Sequence, residues 1–224
     1  MRAGFGERQL SSKDRLISLF EVLLAVFIVL GHNVWRILPN EVPILFVLFF
    51  VSQKLRTGRW IGPEFQRPSS WPKTVGIAFA AAAAMQLGSE LGIQPIGSHI
   101  WHTAQHTSTV FTTHARDWTI ALRNLGIVWI FAALGEETGY RAYLLARTAD
   151  VGNRSGIAYV TALFLAATVF GFAHFYKGPT GVLDSAYSGL VLGSVFLWTR
   201  GNLWACILAH GISDTFVVIY LLLT

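Results

Sequence analysis

The chain has 224 residues, 53% of them hydrophobic and 13% charged, with a mean hydropathy of +0.51. Soluble domains carry about a quarter charged residues, so a soluble core is excluded and the clustered apolar runs read as membrane spans. The net charge of +5 has no basic stripe or recognition motif beside it, which argues against nucleic acid and for topology and anionic lipid.

In chain order, seven spans are expected. The first is Leu16 to Leu30, extending toward Trp35. It follows basic residues, is interrupted by Glu21 and lacks a small-residue cleavage site, so it reads as a retained span rather than a signal peptide. The second, Pro43 to Val51, is short. The third is Val75 to Leu91, the fourth Trp118 to Leu134, running on into a charged motif, the fifth Ile157 to Phe172, the sixth Ala186 to Trp198 and the seventh Leu203 to Leu223. A span needs about 20 residues, so the second and sixth are the weakest, and six spans with a re-entrant second segment is the other reading. The expected class is therefore all-α, polytopic, with residues 1–224 as a single membrane domain.

Charge orients this arrangement. With the N-terminus cytoplasmic, 13 of the 17 Lys and Arg residues fall in inside segments. Arg36, Arg116, Arg123 and Lys177 are left outside, as the positive-inside rule requires. Two polar stretches interrupt the spans. Residues 54–74, with three prolines and five basic residues, read as a cytoplasmic loop with interfacial tryptophans. Residues 92–117 hold His99, His102 and His106 at helical spacing. That spacing permits a metal site, although the Ser, Thr and Gln around it are ordinary for an interfacial helix. Cys206, the single cysteine, lies in the last span and reads as a packing residue.

Ionisable residues inside spans are costly, so they usually face the protein interior and carry function. Three clusters stand out. In "GEETGYR", Glu137 and Arg141 are four apart and share a helix face, while Glu136 is turned about 100° away. Glu137 with Arg141 reads as a brace, and Glu136 as a carboxylate free to act as a general base toward water. In "FGFAH", Phe170 and His174 are four apart, which places a ring beside the imidazole. In "HGISD", His210 and Asp214 are four apart, so the carboxylate can orient the imidazole.

These motifs, in this order, resemble the E-E-x-x-x-R, F-x-x-x-H and H-x-x-x-D/N signatures of the CAAX-protease and bacteriocin-processing (Abi, or CPBP) family of intramembrane proteases. The resemblance covers about residues 118–216, and it implies an intramembrane endopeptidase. Its substrate would be a membrane-associated or lipid-modified protein or peptide. Glu136 would activate water with help from His174, His210 and Asp214 would stabilise the oxyanion or position substrate, and Glu137, Arg141 and Phe170 would support them. Asp214 departs from the asparagine of the prenyl-protein-processing branch, and an ionised carboxylate accepts hydrogen bonds where an amide can donate. Cofactors stay open: a divalent metal such as zinc among Glu136, His174 and His210, or glutamate-dependent chemistry without one. A proton-coupled transporter and a non-catalytic scaffold or immunity protein are the alternative functions. The expected location is a prokaryotic plasma membrane.

One expectation is geometric. If the fourth span ended near Leu134, Glu136 and His174 would differ in depth by on the order of 10 Å or more at 1.5 Å per residue. Helix tilt, or continuation of that helix through Arg147, would narrow the gap.

Overall fold

A computed structural model describes residues 9–102 and 117–223. Among the described residues there are seven principal helices and no strand. They are α1 (Ser12–Asn33), α2 (Glu41–Thr57), α3 (Trp71–Trp101), α4 (Trp118–Val151), α5 (Gly156–Ala173), α6 (Gly178–Trp198) and α7 (Leu203–Leu223). Six are long and apolar enough to cross a membrane. The exception is α2, at 17 residues, the segment whose span is expected to be weak.

Local sequence sets the helix ends. Ser11, Asn40, Ser70, Asp117 and Ser155 each accept a hydrogen bond from a backbone N–H in the following turn, which satisfies donors that the helix leaves free. Gly58, at φ 73°, closes α2 in the left-handed region that glycine adopts without strain. The sixth helix starts earlier than expected, at Gly178 after a 3-10 turn over Phe175–Lys177. Pro179 in its first turn needs no N–H partner there.

The fourth helix differs most from expectation. It runs to Val151, far beyond Leu134. The charged residues that seemed to end the span are instead paired within or beside the helix. Arg141 bonds Glu137, and Arg147 bonds Asp150 at 2.9 Å. Two stretches, Val128–Glu136 and Thr138–Leu145, have widened π-type turns, which re-aim side chains and recur at functional sites.

The bundle has two distinct ends. At the end near the N-terminus, Leu10 N–H donates to Asn153 Oδ1 at 2.8 Å and Arg15 donates to the Val151 carbonyl. Beneath them Glu21 meets Arg56 and Arg147, and Asp150 meets Arg147 and Arg154. This network joins α1, α2, α4 and the α4–α5 turn. The loop of residues 58–70 folds back here, with Phe65 packed on Phe49, Phe50 and Trp204. At the opposite end lie the α1–α2 and α5–α6 turns.

In a bilayer, helices associate through close packing and polar contacts. The α5–α6 contact shows this. A Cβ on Gly171 would stand 2.7 Å from the Val182 carbonyl oxygen, and one on Gly189 would stand 3.0 Å from the Ala167 Cα. Gly171→Leu should therefore push α6 from α5 and destabilise the fold by roughly 1–3 kcal/mol or more. Unfolding in detergent measures this, and retention of wild-type stability would refute the close packing.

Candidate active site

The site forms where the middle of α4 meets α7 and the end of α5. Glu137 is fully buried. Its Oε1 accepts from Arg141 at 2.9 Å, as the spacing of four predicts, and also from His210 Nδ1 at 2.7 Å. The second bond joins residues 73 apart in sequence. His210 therefore has two carboxylate neighbours, Glu137 on Nδ1 and Asp214 on Nε2 at 3.5 Å.

Phe170 is the hub of the apolar wall. Its ring centroid lies 4.9 Å from Tyr140, 4.9 Å from His174 and 6.0 Å from His210, and the Arg141 guanidinium stacks 4.5 Å above it. A cation over an aromatic face is held by the ring quadrupole. The expected Phe170–His174 proximity is present. His174 Nδ1 donates to the Phe170 carbonyl oxygen at 3.0 Å. A carbonyl can only accept, so in the neutral ring the proton sits on Nδ1 and Nε2 is left as an acceptor.

Glu136 is placed differently from Glu137. Its Oε2 is buried and has no hydrogen-bond partner. It lies in the electrostatic field of His210, Asp214, Glu41 and Glu137, and Tyr176, beside His174 at 6.0 Å ring to ring, feels it as well. Glu137 is thus braced at Oε1, as its spacing from Arg141 suggests, while its Oε2, like that of Glu136, has no hydrogen-bond partner. Helix α4 continues past Arg147, so residue 136 sits mid-helix rather than at the end of a span.

Glu41 is absent from the sequence reading. It is 5% exposed, in the first turn of α2, and its Oε2 stands 3.6 Å from His32 Nε2. An acid directly after Asn40 reads as an ordinary first-turn residue. Its burial beside α4 is a tertiary fact with no local signal.

Two expected metal sites can be compared with the structure. Among the described residues, no three His, Cys, Asp or Glu side chains are gathered so as to hold a metal ion. Glu136, His174 and His210 therefore do not form a three-ligand set in this arrangement. In the histidine-rich stretch, the helix ends at Trp101 and His102 turns into the left-handed region at φ 54°. The single helical face expected for His99 and His102 is not continued, and His106 lies outside the described residues.

Residues 118–216 match the family model described as Type II CAAX prenyl endopeptidase Rce1-like. This is the family that the three motifs resemble, over the same residues, and it supports a membrane-protease kind of function. No curated protein and no solved structure matches the chain.

Removing Arg141 would leave Glu137 buried with a lost partner. Breaking such a pair costs about 3–5 kcal/mol, so Arg141→Ala should lower the unfolding midpoint in detergent strongly, and Arg141→Lys less. Equal stability of Arg141→Ala and wild type would show that the pair does not brace the site.

Proposed function

We propose that the protein is an intramembrane endopeptidase that hydrolyses a peptide bond in a membrane-associated or lipid-modified protein or peptide. The observation that carries this reading is the contrast between Glu136 and Glu137. Glu137 is braced at Oε1 by both Arg141 and His210, whereas Glu136, whose Oε2 has no hydrogen-bond partner, lies in the electrostatic field of the same histidine and of Asp214.

In this reading a water molecule sits beside Glu136. The carboxylate takes one proton from it as the oxygen attacks the scissile carbonyl carbon. His174, tethered through Nδ1 to the Phe170 carbonyl, presents Nε2 to the same water as a second acceptor. The carbonyl oxygen gains negative charge and needs a donor aimed at it. His210 supplies that donor through Nε2, with Glu137 holding the ring at Nδ1 and Asp214 beside it. Asp214 thus acts through His210, and the amide of the prenyl-processing branch is not required at this position. The proton held by Glu136 then passes to the leaving amine, which restores the carboxylate. The buried walls of Phe170, Tyr140 and Arg141 hold these groups in register. No step here uses a metal.

General-base removal typically costs 10²–10⁴-fold in rate. Glu136→Gln should lower cleavage of membrane-anchored and prenylated peptides in detergent by about that factor, while Glu136→Asp retains part of it. The assay should run with and without chelator, which tests for metal directly. Unchanged cleavage by Glu136→Gln would remove this residue as the base.

A further inference from the structure

We infer that the groove between α3 and α6 is the binding site of one anionic phospholipid. Its acyl chain lies along the groove, and its phosphate rests on Lys73 and Arg200 at the mouth.

The groove follows from how the two helices are held. Helix α3 is tied to α7, because Asn202 Nδ2 donates to Thr74 Oγ1 at 3.0 Å and Gln86 Nε2 donates to Ser213 Oγ at 2.9 Å. Helix α6 is tied to α5 through the close approaches at Gly171 and Gly189. The two helices run antiparallel and touch at one end of their overlap. There Tyr187 Oη donates to the Ala84 carbonyl oxygen at 2.8 Å, the Tyr187 ring stands against Gly88, and a Cβ on Gly97 would lie 2.5 Å from Thr180 Cγ2. Toward Lys73 and Trp198 they part, leaving a groove of about 720 Å³.

The walls of this groove suit a hydrocarbon chain. Gly76, Ala80 and Ala84 line α3, and Leu190, Val191 and Ser194 line α6. The small residues on α3 leave depth that larger side chains would fill. A Cβ added to Gly76 would meet no atom within 4 Å. Apolar walls with nothing between them forfeit dispersion contacts, and in a bilayer an acyl chain is the group at hand to restore them.

Charge selects the headgroup. Lys73 lines the mouth, and no acid lines any part of the groove. Arg200 stands in the α6–α7 turn, two residues before Asn202, whose bond to Thr74 brings that turn against the start of α3. Among the described residues, no ion pair involves Lys73 or Arg200. Trp198, 73% exposed, and Trp71, 38% exposed, stand at the same end, and tryptophan marks the headgroup level. Basic pockets between spans take anionic headgroups. A zwitterionic lipid would bring its own ammonium toward the two cations and lose that advantage.

Thermal unfolding of the purified full chain in neutral detergent tests this, with phosphatidylglycerol or phosphatidylcholine of identical chains added. A ligand that binds the folded state raises the midpoint. Phosphatidylglycerol should raise it saturably and further than phosphatidylcholine, by a margin that shrinks in high salt. Lys73→Gln combined with Arg200→Gln should weaken phosphatidylglycerol binding about tenfold or more. Gly76→Leu fills the groove while both cations remain, so it should fold and lose the response. Ser194→Leu fills it from the other wall and serves if Gly76→Leu does not fold. Native mass spectrometry should count one phosphatidylglycerol on the wild type and none on the filled variants. Equal midpoint shifts with the two lipids would overturn the headgroup assignment. An undiminished phosphatidylglycerol response in a folded filled variant would overturn the groove as its seat. A wild-type dimer in detergent that the filled variants dissociate would make the groove a subunit contact and overturn the proposal. Neither lipid response depends on cleavage, so the peptidase reading and this site can fail separately.

Discussion

A carboxylate at 0% exposure in the middle of a membrane bundle has to be neutralised where it lies. Glu137 meets that demand through Arg141 on its own helix and His210 on α7. The requirement reaches well beyond the three residues. It fixes the rotation of α4, because Arg141 must point inward with Glu137. It fixes α7 against α4 at one register, because His210 has to arrive at the same oxygen. It places the guanidinium over Phe170, which ties in α5. Three helices distant in sequence are thus keyed to one charge.

The same constraint separates two adjacent glutamates into different roles. Glu137 is committed at Oε1 to Arg141 and His210, the contacts of a brace. The neighbouring Glu136, rotated away, keeps an oxygen without a partner. The match of residues 118–216 to a CAAX endopeptidase family falls on this unit. The first three helices lie outside the match, yet they contribute Glu41, His32 and the Glu21 brace to its surroundings.

Helix α4, the longest at 34 residues, carries Glu136 and Glu137, α7 carries His210 and Asp214, and His174 follows the end of α5. At the end near the N-terminus, arginines and acids from four segments close the bundle. Buried ion networks of this type contribute uncertain net stability, but they position the segments they join.

The sequence by itself determined what depends on near neighbours. An apolar composition with few charges dictates a helical membrane protein, since a spanning chain must satisfy its backbone internally. Spacing of four on a helix was enough to pair Glu137 with Arg141, to set Phe170 beside His174 and to bring Asp214 near His210, because these contacts need no more than one turn of helix. Tertiary structure decided the rest. The Glu137–His210 bond spans 73 residues, and Glu41 enters from a helix with no motif. Local hydropathy puts the end of α4 near Leu134, but distant partners for Arg147 carry it to Val151. A charge ends a span when it must face lipid and continues one when another helix supplies its counter-ion, and that choice is made by packing, beyond the range of any local pattern.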